Sequence, residues 1–383
     1  MRTRAIIHLD RLTGNINKIK DRIGSCKICA VVKADAYGHG APQVAKAAVN
    51  AGVYCLGVVT TQEGAGLRKN GITAPVLLFS NPHPDEIQEI INFNLIPFIS
   101  DISYASILNE QAKLAKVKLK VHLKIDTGMN RLGCKPEEAV SLACHIADCA
   151  ALELAGTATH FAVSDSIADG DRAYTRMQIE CFKRTVGSIK SAGIDPGILH
   201  AANSGGVILH PESWLDMVRP GLLMYGYKPV EEYADFPHKP IEVQPVMELR
   251  ASISLIKKVK QGESVSYGRI WTAPEDTNIA IITAGYSDGL PRSASGKWKA
   301  LIGGKYYPIA GRICMDQCCV DLGQQTDIGR WDEAVLFGSF RDLNAATLAA
   351  AAGTIPYEIT CNVNKRVPRV YTTGDVALYG KKQ

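Results

Sequence analysis

The 383-residue chain lacks most of the features that would place it in a specialised class. It has no long hydrophobic run at its start. Met1-Arg2-Thr3-Arg4 is followed only by a short apolar stretch to Leu9, too short for a signal-peptide core or a membrane span. A cytoplasmic location with no membrane partner is therefore expected. Excess charge is small, +5 at pH 7, and the basic residues are scattered. Without a basic stripe or polybasic tail, no nucleic-acid partner is expected. A disulfide framework is also missing, although there are eleven cysteines. Cys26 and Cys29 have C-x-x-C spacing, but in a strand an offset of three points them to opposite faces. Apart from the adjacent Cys318 and Cys319, no second pair with zinc spacing follows, so buried free thiols and no metal are expected. Internal repeats and low-complexity segments are absent as well. What remains is an ordinary globular composition, 46% apolar and 21% charged, in a chain too long for one core.

Strand and helix patterns alternate regularly along the first part. After a first strand, Ala5–Leu9, comes an amphipathic helix with Leu12, Ile16, Ile19 and Ile23 on one face. Strands are expected at Lys27–Val32, Val53–Val59, Pro75–Phe79, Leu95–Ile99, Val117–Ile125, Leu152–His160, Gly197–Ala202 and Leu215–Arg219. Helical patterns lie between them, including Pro42–Ala51, Asp85–Phe93, Pro136–Cys149 and Asp171–Ala192. Eight strands with intervening helices predict a (β/α)8 TIM barrel. From about Pro240 the pattern changes to alternating runs, Ser252–Val259, Asn278–Thr283, Lys305–Ala310 and Glu333–Phe337, separated by turn residues. The fold class is thus α/β: an N-terminal barrel over 1–235, then a mostly β C-terminal domain over 236–383. Tyr227–Pro240 is the expected linker, and the first strand, residues 4–9, is expected to join the C-terminal domain.

Active sites of such barrels lie at the C-terminal ends of the strands, which is where the polar clusters fall. Lys33 ends an apolar strand in Ala30-Val31-Val32-Lys33-Ala34-Asp35-Ala36-Tyr37-Gly38-His39-Gly40. A lysine so placed is partly desolvated, which disfavours the ammonium and frees the amine as a nucleophile. Lys124-Ile125-Asp126-Thr127-Gly128-Met129-Asn130-Arg131 leaves strand five, and His160 ends strand six, with Asp165 beyond it. Asn203 and Ser204 follow strand seven, and Arg219-Pro220-Gly221 closes strand eight, recreating the anion site usual there. Each signal alone is weak, because lone strand-end lysines, histidines and arginines are mostly structural. Together at one barrel mouth they read as a site. The C-terminal part adds Val265-Ser266-Tyr267-Gly268, which reads as a strand carrying a tyrosine. It also adds the turn Gly285-Tyr286-Ser287-Asp288-Gly289, then Gly311-Arg312-Ile313-Cys314-Met315-Asp316-Gln317 and Ile355-Pro356-Tyr357-Glu358.

In this order, spanning nearly the whole chain, these strings are similar to the bacterial alanine racemase pattern. The resemblance implies an amino-acid racemase dependent on pyridoxal 5'-phosphate (PLP), with Lys33 as cofactor lysine and one of two catalytic bases. Tyr267 matches the second base. Family sites are shared between the subunits of a homodimer, so Tyr267 should come from the partner subunit. The match further implies that Arg219, beside His160, faces the cofactor's ring nitrogen. Tyr37, Asn203, Ser204, Gly221, Leu222 and Tyr357 would hold the cofactor. Arg131 would approach the ring hydroxyl and the substrate carboxylate, with Lys124 as a carbamylated brace and Met315 offering its backbone N–H. Asp165, Tyr286, Arg292, Arg312, Ile355 and Asp316 match the entry passage. The expected substrate is alanine, supplying D-alanine for peptidoglycan.

The chemistry explains these residue types. Racemisation removes a weakly acidic Cα proton and returns one from the other side, which two opposed bases achieve directly. A tyrosine ordinarily near 10 needs a neighbour to act as base, and the His160–Arg219 pair is the candidate. An arginine at the ring nitrogen stays protonated and gives no proton, which should suppress side reactions. Asn130 stands where the family more often has glycine, and Gly205-Gly206 replaces alanines. Three alternatives are a racemase of another small amino acid such as serine, a PLP decarboxylase or aldolase, and a non-catalytic PLP-binding protein. The second predicts an acid in place of Arg219. The third lacks the β domain.

Overall fold

The structure is a computed structural model describing residues 2–229 and 241–374. The first strand, β1 (Thr3–His8), leads into the helix Leu9–Ile23, whose buried face carries Leu12, Ile16, Ile19 and Ile23. Asp10 in its first turn and Lys20 and Arg22 in its last suit the helix dipole, and Gly24, at φ 63°, ends it.

Eight parallel strands follow: β2 (Lys27–Val31), β3 (Cys55–Val58), β4 (Val76–Leu78), β5 (Ile96–Ile99), β6 (Leu119–Lys124), β7 (Leu152–Ala158), β8 (Ile198–His200) and β9 (Met217–Val218). They pair in the order β8-β7-β6-β5-β4-β3-β2-β9. Asp216 N–H to Leu199 (3.1 Å) and Arg219 N–H to Ala202 (2.8 Å) bring the ends together, nearly closing the barrel. The strands are two to seven residues long, shorter than the apolar runs suggest, because the run ends turn into loops. The predicted helices appear at Ala41–Asn50, Ile87–Asn92, Ala139–Asp148 and Asp169–Ser191, with 3-10 turns at Pro84–Glu86 and Pro136–Glu138 before the second and third. Pro42 sits in a first turn, where its missing N–H costs nothing.

The second part is a sheet built on β10 (Met247–Val259), with β11 (Ser264–Val265), β12 (Trp271–Thr272), β13 (Thr277–Ile282), β14 (Lys299–Ile302), β15 (Lys305–Pro308), β16 (Cys318–Asp321), β17 (Glu333–Phe337) and β18 (Arg369–Thr372). The order is β15-β14-β17-β10-β1-β18, with β13 and β16 extending from β10, while β11 and β12 form their own hairpin. β1 pairs antiparallel with β10, Thr3 opposite Ala251, so the first strand lies in this sheet rather than in the barrel. The 235/236 boundary and most of the expected linker lie outside the described residues.

One correction concerns Tyr267. The expected strand ends at Val265, and Tyr267 opens a short 3-10 turn, preceded by Ser266 at φ 69° and followed by Gly268 at φ 72°. Two left-handed residues around it break the alternation and present its side chain, 71% exposed, to solvent.

Candidate active site

Lys33 leaves the C-terminal end of β2 and is followed by Ala34, Asp35, Ala36 and Tyr37, all with φ between 52° and 55°. Four consecutive non-glycine residues in the left-handed region cost about 1–2 kcal/mol each, so neighbours must hold them there. Glu63 accepts from the Ala34 N–H (2.6 Å), Asp35 accepts from the Ala41 N–H (2.7 Å), and Arg369 donates to Gly38 O (3.0 Å). A Cβ on Gly38 would lie 2.1 Å from Thr360 O, which explains glycine where the turn meets the C-terminal domain. This strained turn fixes Lys33 and Tyr37 at the barrel mouth.

The mouth holds a cavity of about 610 Å³ lined by Lys33, Tyr37, Lys124, Arg131, His160, Asn203, Ser204, Arg219, Gly221 and Tyr357. Ten of the sequence-predicted residues therefore meet. Val31, Val59, Phe79, Ser80, Asn81, Phe98, Met129 and Leu132 complete the lining and escaped prediction as site residues, because single apolar and short polar residues at strand ends carry no motif. The lining includes four cationic side chains and no carboxylate. Burial, reinforced by the Arg131 charge, lowers the Lys33 pKa. Burial and Arg219 push Lys124 down to about 7. Arg131 is positioned through its loop: the Asp126 carboxylate accepts from the N–H groups of Gly128 (2.9 Å), Met129 (2.8 Å) and Arg131 (3.0 Å). Asn130 in that loop sits at φ 55°, a left-handed position that asparagine tolerates better than most residues.

Arg219 is buried, 5% exposed, and donates to Thr159 O (2.7 Å), Ala201 O (3.0 Å), His160 Nδ1 (3.1 Å) and His200 Nδ1 (2.9 Å). Guanidinium only donates, so both imidazoles accept at Nδ1 and carry their proton on Nε2. His200 Nε2–H then donates to His122 Nδ1 at 2.8 Å. Burial and the Arg219 charge hold His160 and His200 well below the ordinary histidine range, which keeps them neutral. Burial lowers Arg219 itself to about 10, still cationic at neutral pH. His200 could have been found by the rule that found His160, because it ends β8. His122 could not, since it lies within β6.

The loops after β8 and β9 meet at Ser204. Ser204 Oγ accepts from the N–H groups of Gly221 (3.0 Å) and Leu223 (3.2 Å), and Asn203 caps the turn by accepting from Gly206 N–H (3.0 Å). A Cβ at Gly221 would lie 2.6 Å from Tyr37 Oη, so only glycine leaves room between the hydroxyl and the backbone. A Cβ at Gly205 would meet Ser164 O at 2.7 Å, which accounts for glycine there. Leu222 is buried. Burial raises Tyr357 to about 12, with a contribution from nearby Asp165. Ile355, two residues before Tyr357, is exposed.

The remaining predicted residues gather elsewhere. A Cβ on Gly268 would lie 2.9 Å from the Arg312 guanidinium carbon, so Arg312 packs on the Tyr267 turn. Ser266 Oγ donates to Arg312 O at 2.6 Å. Ser287 N–H bonds Met315 O (3.0 Å) and Tyr286 N–H bonds Cys314 O (3.0 Å), tying Tyr286 to the same surface. Asp316 pairs with Arg366 at 2.7 Å. Arg292 is an exposed residue of a neighbouring 3-10 turn. Within one chain, neither Tyr267 nor Met315 lines the Lys33 cavity.

Two family models cover both halves of the chain, "Alanine racemase, N-terminal domain" over 7–229 and "Alanine racemase, C-terminal domain" over 246–371. The chain belongs to the alanine racemase family. It is 50% identical to the alanine racemase of Treponema denticola over 375 residues, covering 96% of this chain and 98% of the relative. The alanine racemase of Treponema pallidum is 42% identical over the same length. Among solved structures, alanine racemase from Clostridium difficile matches at a TM-score of 0.91 and 37% identity, covering 97% of this chain and 96% of that one. The Bacillus anthracis alanine racemase with bound L-Ala-P matches at a TM-score of 0.87 and 31% identity. Membership makes the chain an amino-acid racemase, and the family is PLP-dependent. Among the described residues, no helix is long and apolar enough to cross a membrane.

Proposed function

We propose that the chain interconverts L- and D-alanine by a two-base mechanism, with Lys33 of one subunit and Tyr267 of the partner subunit as the opposed bases. The carrying observation is the division just described. A strand-end lysine of lowered pKa sits in a cavity with cations but no carboxylate, while the tyrosine of the same chain stands exposed outside it. The cavity fits PLP: four cations without a carboxylate suit a phosphate and a substrate carboxylate, and the Gly221 gap would be filled by a Cβ. Tyr37, Asn203, Ser204, Gly221, Leu222 and Tyr357 would hold the phosphate end, Arg219 and His160 the ring nitrogen side, and Arg131 the ring hydroxyl.

When bound, PLP supplies the electron sink that makes the Cα proton removable. Lys33 Nζ takes or returns that proton on one face, and the Tyr267 hydroxyl acts on the other. Arg131 and, from the partner subunit as for Tyr267, the Met315 backbone N–H orient the substrate carboxylate. Arg219, still cationic at neutral pH, holds its proton and so disfavours competing reactions of the carbanion. Tyr357 narrows the cavity, which favours a methyl-sized side chain over a larger one. Asp165, Tyr286, Arg292, Arg312, Ile355 and Asp316 would line the approach in the assembled homodimer. The D-alanine formed would serve peptidoglycan synthesis in the cytoplasm.

Two variants test this, Lys33→Ala and Tyr267→Phe, assayed with L- and D-alanine in deuterated water. Each alone should lose racemisation, and only the lysine variant should lose PLP absorbance. Mixed subunits should regain activity, because a hybrid dimer keeps one intact site. Normal racemisation by Tyr267→Phe would refute both the second base and the shared site.

A further inference from the structure

A second cavity, about 700 Å³, opens at the opposite end of the barrel among the first residues of the strands. Its lining includes Cys55 and Met217, which open β3 and β9. Cys55 Sγ lies 3.5 Å from Met217 Sδ. Cys29 is the direct ladder partner of Cys55 across β2 and β3, and the two side chains lie in the same buried cluster. All three residues are 0–1% exposed and share a small cluster with Leu77 and Ile96, apart from the main core. The C-x-x-C spacing is not what brings thiols together. Cys26 turns away to donate to Leu215 O, and Cys29 meets Cys55 instead.

We propose that Cys29, Cys55 and Met217 form a binding site for a soft monovalent ion of the copper(I) class, reached through the lower cavity. Two thiolates and a thioether are the donor set that selects copper(I) over harder ions. At metal–sulfur bonds of about 2.3 Å, a 3.5 Å separation corresponds to about 100° at the ion, within reach of a three-coordinate centre. Among the described residues, no three His, Cys, Asp or Glu converge on one point, so a harder four-coordinate ion has no comparable site. Two thiols and a thioether leave zinc without the fourth donor that it takes in structural sites.

Charge supports the same assignment. One copper(I) ion displaces one proton from each thiol and accepts a lone pair from the thioether. The centre then carries one negative charge, and two protons leave to solvent. Arg219, whose hydrogen bonds go only to neutral acceptors, lies within electrostatic reach of Cys29 and Cys55, and a negative centre would compensate this cation. The cavity lining carries Glu153, Asp195 and Asp216 against Lys27 and Lys120, so entry of a cation is not opposed.

The test titrates the holoenzyme anaerobically with copper(I) supplied as its bicinchoninate complex, following chelator absorbance. The intact protein should extract one more equivalent per chain than Cys29→Ser or Cys55→Ser. Met217→Leu, which conserves volume, should bind that equivalent about tenfold more weakly. X-ray absorption of the one-equivalent complex should show three sulfur neighbours. This readout needs no variant, so a serine variant that fails to fold leaves the test intact. Equal extraction by the intact and serine proteins, or nitrogen and oxygen neighbours at copper, would overturn the assignment.

Discussion

Arg219 is a buried cation facing only neutral acceptors, so replacing it separates a structural role from a functional one. Glutamine in its place has two N–H donors where arginine satisfies four acceptors. At least two buried acceptors are left unpaired, at about 1–3 kcal/mol each. Against this, the variant no longer buries a cation without a partner, a penalty of several kcal/mol. The two effects are of similar size, so Arg219→Gln should leave the unfolding free energy within about 2 kcal/mol of the parent. Racemisation should suffer much more. Losing one preorganised charged group costs about 100-fold or more in turnover. Thermal unfolding of the cofactor-free protein, paired with turnover of the holoenzyme, measures both quantities. Collapse of stability together with activity would show that the guanidinium is mainly a strut between β7, β8 and β9. Turnover within tenfold of the parent would show that no cation is needed beside the cofactor ring.

Two further outcomes follow from the titrating groups. Lys124, buried and lowered to about 7, has a large fraction of neutral amine at pH 7–8. Intact mass in bicarbonate buffer should show one added CO2 that disappears in Lys124→Ala, and an unmodified mass would count against this lysine as a carbamylated brace for Arg131. Glu248 sits in a buried network, 2.6 Å from Arg250 and 3.1 Å from Arg11, and its carboxyl is held at about 2 against an ordinary 4.5. A carboxyl depressed on folding stabilises above its unfolded value and loses that contribution as pH falls through the folded one. About 3 kcal/mol should therefore be present above pH 4.5 and lost progressively towards pH 2, beyond the loss shown by Glu248→Gln in acid unfolding. Parallel acid-unfolding curves for the two proteins would contradict the assignment.

The barrel was legible because its strands are apolar runs closed by polar residues, and their C-terminal ends converge by topology alone. Lys33, His160, Ser204 and Arg219 could thus be placed together without seeing a side chain. The left-handed turn from Ala34 to Tyr37 was not legible. Its residues favour ordinary helix, and contacts distant in sequence, from Glu63 and Arg369, help to hold it. Ser266 is a similar case, since nothing local in Val-Ser-Tyr-Gly announces a positive φ before the tyrosine. The pairing of Cys29 with Cys55 was hidden for a different reason. It is set by neighbouring strands, 26 positions apart, whereas local spacing links Cys29 to Cys26.

The charge pattern explains why the proposed site would draw on two subunits. The barrel mouth gathers Lys33, Lys124, Arg131 and Arg219 without a carboxylate, which suits two anions but lowers its lysines. Another lysine opposite Lys33 would meet the same field. A hydroxyl base gains from that field instead, because nearby cations favour phenolate over phenol. Tyrosine is thus the residue type such a mouth would activate, and Tyr267 stands exposed on a turn of the other domain. In the chain alone that turn contributes nothing to the Lys33 cavity. On this reasoning, activity should depend on subunit concentration near the dimer dissociation range, whereas the lowered pKa of Lys33, set within one barrel, should not.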